Sequence, residues 1–183
     1  MLKKSTLAAF ATPVVMFIGG TADAAVSLGQ AAPNFTLSDL QGKKVSLADY
    51  KGKYVVLEWH NPGCPFVQKH YGSGNMQSTQ RKVAGADTVW LTVNSTNPRH
   101  GDYLAPAKLA DLLSREKAAP TAYLMDEEGK VGSMYTAKTT PHMYIIDPKG
   151  NLIYNGAIDD KRSANPGDIA GAKNYVLAAL DEA

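Results

Sequence analysis

Tyr54-Val55-Val56-Leu57-Glu58-Trp59-His60-Asn61-Pro62-Gly63-Cys64-Pro65-Phe66-Val67 changes character twice along its length. Residues 54–59 are apolar at nearly every position, the pattern of a strand buried on both faces. Asn61-Pro62-Gly63 is loop chemistry. Cys64-Pro65 then opens a helix, because proline tolerates the first helical position, where its missing N–H has no helical partner to lose. Phe66, Val67, His70 and Tyr71 fall on one face of that helix. The stretch therefore predicts a central strand that delivers Cys64 to the N-terminus of a helix. Glu58 stands out within it, because burying an acid is costly unless it is paired or kept neutral.

Upstream, Phe35-Thr36-Leu37 and Val45-Ser46-Leu47 alternate apolar and polar around Asp39-Leu40-Gln41-Gly42, which predicts a β-hairpin. Downstream, helices are expected over 75–83 and 105–117, and a second buried strand over 88–93. A short strand over 121–125 and a short helix or turn over 127–135 follow. The loop Thr139-Thr140-Pro141 leads into a strand over 142–147 and its hairpin partner over 151–156. Asp168 to Leu180 reads as one amphipathic helix, with Ala172, Tyr175, Val176, Ala179 and Leu180 as its apolar stripe. Strands alternating with helices make an α/β sandwich with a central mixed sheet, flanking helices and an N-terminal hairpin.

The chain has 183 residues, 44% hydrophobic and 20% charged, which fits a single ordinary globular domain. Its net charge of +2 comes without a Lys/Arg stripe, so no nucleic-acid partner is expected. The N-terminus differs from the rest. Lys3 and Lys4 precede an apolar run from Leu7 to Gly20, and Ala22-Asp23-Ala24 is a small-x-small pattern. This predicts a secretory signal peptide over 1–24, removed to leave a domain over 25–183 that is periplasmic or secreted and free of the membrane. The run is too short, and too interrupted by Pro13 and two glycines, for a comfortable membrane span.

Export favours paired cysteines, yet the chain has one. A lone cysteine in an exported protein is either a buried inert thiol or a reactive one. At a helix N-terminus, Cys64 would face unpaired backbone N–H groups and the positive end of the helix dipole, both of which favour the nucleophilic thiolate. Cysteine and histidine spacings match no standard metal pattern, and neither a metal nor a cofactor is assigned.

Several segments together resemble the redoxin, or AhpC/TSA, branch of the thioredoxin superfamily. Asn34-Phe35-x-Leu37-x-Asp39-x-x-Gly42 and Leu47-x-x-Tyr50-x-Gly52-Lys53 are similar to its entry, and Glu58 to Val67 occupies its active-site position. Lys138-Thr139-Thr140-Pro141-His142 through Asp147 resembles the cis-proline segment, and Gly150-x-Leu152-x-Tyr154-x-Gly156 the closing hairpin. The resemblance covers about residues 30–180 and implies a thioredoxin-like fold. It is nearest to a peroxiredoxin-like group with one cysteine at the first position of Cys-x-x-Cys; here Val67 stands at the resolving position. Some members carry another cysteine in a tail after the last helix, and none is expected here. The peroxiredoxin pattern Pro-x-x-x-Thr-x-x-Cys fits in neither register: Leu57 and Asn61 precede Cys64, and His60 and Cys64 precede Val67.

The resemblance implies roles for particular residues. Cys64 is the nucleophile and Glu58 its proton-relay acid. Thr140, ahead of cis-Pro141, would pair with a substrate backbone. His142 is placed to line the site, and Trp59 borders it although core packing suits it better. His60, His70 and Lys69 are expected to be solvated, and Arg99 and His100 lie in a loop after a strand end, where α/β sheets build sites. The implied activity is that of an antioxidant-type thiol oxidoreductase completing its cycle with an external thiol or a thiol-disulfide protein partner. A redox-inactive binding module and a one-cysteine peroxidase are the alternatives.

Overall fold

Among the described residues, the apolar run that ends at Trp59 becomes the third of seven strands in one sheet. The computed structural model describes residues 26–183, so the expected leader at 1–24 lies outside the described residues. The strands are β1 (Thr36–Asp39), β2 (Lys44–Ser46), β3 (Tyr54–Trp59), β4 (Thr88–Asn94), β5 (Ala122–Met125), β6 (His142–Ile146) and β7 (Leu152–Gly156). Their order across the sheet is β2-β1-β5-β4-β3-β6-β7. β3, β4 and β5 run parallel, and the hairpins β1–β2 and β6–β7 close the sheet with antiparallel pairs at either side. The helices are α1 (Pro65–Gly72), α2 (Asn75–Val83), α3 (Pro106–Glu116), α4 (Lys130–Met134) and α5 (Tyr175–Asp181).

Local chemistry explains most boundaries. In the first hairpin, the Asp39 carboxylate accepts hydrogen bonds from the Gln41 and Lys43 N–H groups, and Gly42 takes a left-handed conformation that a side chain would disfavour. A short 3-10 turn over Leu47–Tyr50 carries a reciprocal cap between Ser46 and Asp49. Pro65 and Pro106 each stand at the start of their helix.

The central strands bury both faces, as their composition requires. Val55, Leu57 and Trp59 of β3 pack with Phe35, Leu91, Val93, Tyr135 and Tyr144 on one face. Val56 packs on the other with Val67, Tyr71, Trp90, Met143, Ile145 and Val176. Alternation along a strand thus assigns even-numbered positions of β3 to the side covered by α1 and α2.

The expected helix over 168–180 is broken in two. A 3-10 turn over Pro166–Gly171 is followed by extended backbone at Ala172, and α5 starts only at Tyr175. Asn174 causes the restart: its side-chain oxygen accepts from the Leu177 N–H as an N-cap, and its amide donates to Thr79 of α2 at 3.0 Å. The apolar stripe alone does not register such a cap. Asn174→Ala is expected to lower the unfolding free energy in urea by about 1 kcal/mol. An unchanged urea midpoint would show that the cap does not define α5.

Candidate active site

Two turns meet at the same end of the sheet because β3 and β6 are antiparallel neighbours, with Trp59 opposite His142. The turn leaving β3 carries Cys64, and the turn entering β6 carries Thr140 and Pro141, joined by a cis peptide bond. The half-buried Cys64 thiol donates to the Thr140 carbonyl at 3.0 Å. Cys64 is the N-cap residue of α1, in extended conformation, and its backbone carbonyl accepts the first helical bond from Gln68. Val67, at the resolving position, is buried.

The turn before Cys64 is held from the β4–α3 loop. Asn61 accepts from the Gly63 N–H at 2.8 Å and donates to the Asp102 carboxylate at 3.1 Å. A Cβ at 63 would lie within 2.7 Å of that carboxylate, so any side chain there would have to displace Asp102. His100 Nδ1 accepts from the Asp102 N–H and lies 3.8 Å from its carboxylate. Sequence reasoning named His100 but missed Asp102; the only trace it leaves locally is the glycine opposite.

Glu58 lies fully buried on the α1–α2 side of the sheet. Every described bond to its carboxylate is a donation: from Tyr71 OH at 2.9 and 3.0 Å, Trp90 Nε1 at 2.8 Å, Thr92 Oγ1 at 3.1 Å and Gln80 Nε2 at 3.4 Å. Thr92 and Trp90 belong there by register, because Glu58 pairs with Thr92 and Val56 with Trp90. Burial disfavours the charge and raises the Glu58 pKa to about 7, against the opposing pull of these donors. The Tyr71 and Thr92 hydroxyls can also accept, so the cage can serve the neutral acid as well. None of the described bonds joins Glu58 to Cys64; Tyr71 on α1 is its link to the cysteine's helix.

The expectation that His60, His70 and Lys69 are solvated is overturned. His60 is buried edge-on against Tyr71 and Tyr123, with Nδ1 2.8 Å from the Tyr123 hydroxyl. Burial alone lowers its pKa to about 3. His70 contacts Asn75 at 2.8 Å, and its pKa falls to about 4, chiefly through burial and despite the nearby Asp159. Lys69 has 0% side-chain exposure. The segment after β7 covers these α1 positions, and its distance in sequence hides that cover from a local reading. Phe66, expected on one helical face with Val67, His70 and Tyr71, is 41% exposed while those three are buried.

The remaining candidates divide by strand parity. Trp59 packs in the opposite core against Tyr135 and Tyr144 and bonds Ser95. His142 shares that face: its ring nitrogens meet Asn155 at 2.8 Å and Tyr144 at 3.2 Å, and no described bond takes it to Cys64. Thr140 lines two grooves. One, of about 450 Å³, runs past the edge of Trp59, His60, Asn61, Thr96 and His100. The other, of about 520 Å³, is more apolar and is formed by Phe66, Pro141, Ile158, Arg162 and Tyr175.

A thioredoxin-like sheet with a cysteine at the head of the helix after its central strand, facing a cis-proline turn, defines the redoxin class. The chain belongs to the AhpC/TSA family, which it matches over residues 28–155. It is similar to the thiol-disulfide oxidoreductase ResA of Bacillus thuringiensis subsp. konkukian, 28% identical over 122 residues that cover 61% of this chain and 70% of that protein. It is also similar to the chloroplastic peroxiredoxin Q of Populus jackii, 28% identical over 174 residues, 88% of this chain and 75% of that one. Among solved structures, an uncharacterized conserved protein from Geobacillus kaustophilus superposes with a TM-score of 0.71 at 25% identity, covering 85% of this chain and 83% of its own.

The buried acid gives a signed pH prediction. The folded-state pKa of Glu58 is raised above its unfolded value, so the native state binds this proton more tightly and the contribution is present below about pH 4.5. It is lost as pH rises toward 7, by roughly 3 kcal/mol in total. His60 and His70 act oppositely, destabilising the fold as pH falls below their unfolded value. Comparing Glu58→Gln with the parent removes that background. The stability difference should move in favour of the variant by roughly 3 kcal/mol from pH 4 to pH 8, read by urea unfolding. A flat difference would place the Glu58 pKa near that of a solvated acid.

Proposed function

We infer that the chain is a thiol–disulfide oxidoreductase acting through one nucleophile, Cys64, with an external thiol completing each cycle. The carrying observation is the Cys64 thiol at the head of α1, 3.0 Å from the carbonyl of the residue before cis-Pro141. In the first step the Cys64 thiolate attacks one sulfur of a partner's disulfide. A bond forms between Cys64 and that sulfur, the partner's S–S bond breaks, and the second partner sulfur leaves as a thiolate that takes up a proton. An external thiolate then attacks the Cys64-bound partner sulfur. It releases Cys64 and remains joined to the partner as a new mixed disulfide.

With Val67 in place of a second cysteine, the chain has no internal route to resolve the intermediate. Thr140 is the residue beside which the partner's backbone would lie, and the groove formed by Phe66, Pro141 and Ile158 would receive the chain flanking its cysteine. Glu58 holds or yields a proton beneath α1 near neutral pH, acting through Tyr71 and the cage. Residues 1–24 act as an export signal in this reading, placing the domain where protein disulfides persist. Relatives named as thiol-disulfide oxidoreductase support the reaction class.

A peptide disulfide incubated with the mature domain and glutathione tests this reading. The parent is expected to accelerate exchange, with a mixed disulfide on Cys64 visible by intact mass, and Cys64→Ser is expected to abolish both. Hydrogen peroxide supplied with the same thiol should be consumed no faster than without protein. Rapid peroxide consumption would establish the one-cysteine peroxidase instead. Partner capture that survives Cys64→Ser would establish a binding module.

A further inference from the structure

Lys69 is a cation that the proposed reaction does not use, buried completely on the helix that Cys64 heads. Its Nζ has no hydrogen-bond partner among the described residues and lies 3.6 Å from Asp159 Oδ2, itself buried and without a hydrogen bond there. His70 Nε2 is 3.7 Å from the same oxygen. Because burial holds His70 largely neutral above about pH 4, the ammonium of Lys69 is the counter-charge on which Asp159 depends. Each charge would be stranded without the other, and a stranded buried charge is far more costly than a satisfied pair.

Asp159 belongs to the 157–174 segment, which packs on α1 through the buried Ile158 and its 3-10 turn and also bonds within itself. Its second carboxylate oxygen accepts from the Lys161 N–H, Asp160 accepts from the Lys173 N–H, and Asp159 forms an isolated bridge with Asn174. Polar contacts tie this segment to the helices over the sheet: Asn174 to Thr79 of α2, and Asp159 to Lys69 and His70 of α1. Ile158 and Arg162, on either side of Asp159, form one wall of the groove whose other wall is Phe66 and whose neighbour is Thr140.

We propose that Lys69 and Asp159 are positioning residues: a buried ion-pair latch that fixes the 157–174 wall against α1 and so sets the groove that holds the partner's polypeptide beside Cys64. This rests on the thiol–disulfide reading for the groove's occupant, while the latch itself rests on the geometry. The pair acts on docking rather than on the sulfur chemistry.

Hydrogen exchange and steady-state kinetics on the mature domain test the latch together. In Lys69→Met, which removes the buried cation and frees Asp159, amides of 157–174 should exchange about tenfold faster while those of β3 and β4 stay within about twofold of the parent. The KM for the peptide disulfide should rise about tenfold with kcat within about twofold. Asp159→Asn should behave alike, and Asp159→Glu, which keeps the charge, should recover most of the protection and the KM. Should Asp159→Asn fail to fold, Lys69→Met still decides the matter. Unchanged protection over 157–174, or equal loss over β3 and β4, would overturn the proposal. So would a fall in kcat with KM constant. A parent that does not turn over the peptide disulfide would remove the functional reading alone, because hydrogen exchange decides the latch without it.

Discussion

The antiparallel register of β3 with β6 is the constraint on which the site depends. With Trp59 opposite His142, the chain leaves β3 and enters β6 at the same level of the sheet. Cys64 and Thr140 are 76 residues apart in sequence, and that register brings their turns to the same end of the sheet. Register is strongly specified here, because both faces of β3 are buried and a slip of one residue would turn its whole apolar set about. The core therefore fixes the site, through Val56 packing on Met143 and Ile145 on one side and Leu57 on Tyr144 on the other.

The same alternation distributes the chemistry. Even positions of β3 face α1, so Glu58 lies under the cysteine's helix and Trp59 does not. Around Glu58 the fold gathers donors from β4, α1 and α2, and around Lys69 and His70 it folds the segment after β7. The helix headed by Cys64 is thus bedded on polar groups whose burial is made tolerable by partners from distant parts of the chain. Its exposed residues are Pro65, Phe66, Gln68 and Gly72, beside the rim of the thiol and the turn gripped by Asp102.

Much of this was legible in the sequence. The apolar runs at 54–59, 88–93 and 142–147 marked the central strands because both of their faces are buried, and Cys64-Pro65 marked the head of α1 through helix-start chemistry. The cis bond at Thr140–Pro141 followed from family resemblance, since local composition carries no signal for it. What escaped was tertiary. The solvation expected for His60, His70 and Lys69 was wrong because their cover, Tyr123 and the 157–174 segment, is remote in sequence. The break before α5 escaped because an apolar stripe does not report a cap at Asn174. His142 looked close to the cysteine from its place after Pro141, but alternation turns it to the far face.

The proposed chemistry requires Cys64 to be a reactive thiol presented by the fold. Intact-mass analysis of the native domain over residues 25–183, mixed with a small aromatic disulfide, decides this. A single adduct is expected, located at Cys64, forming faster on the native protein than on the same chain unfolded in urea at the same pH. An adduct that forms only after unfolding would contradict it, and would make Cys64 a structural thiol on a redox-silent fold.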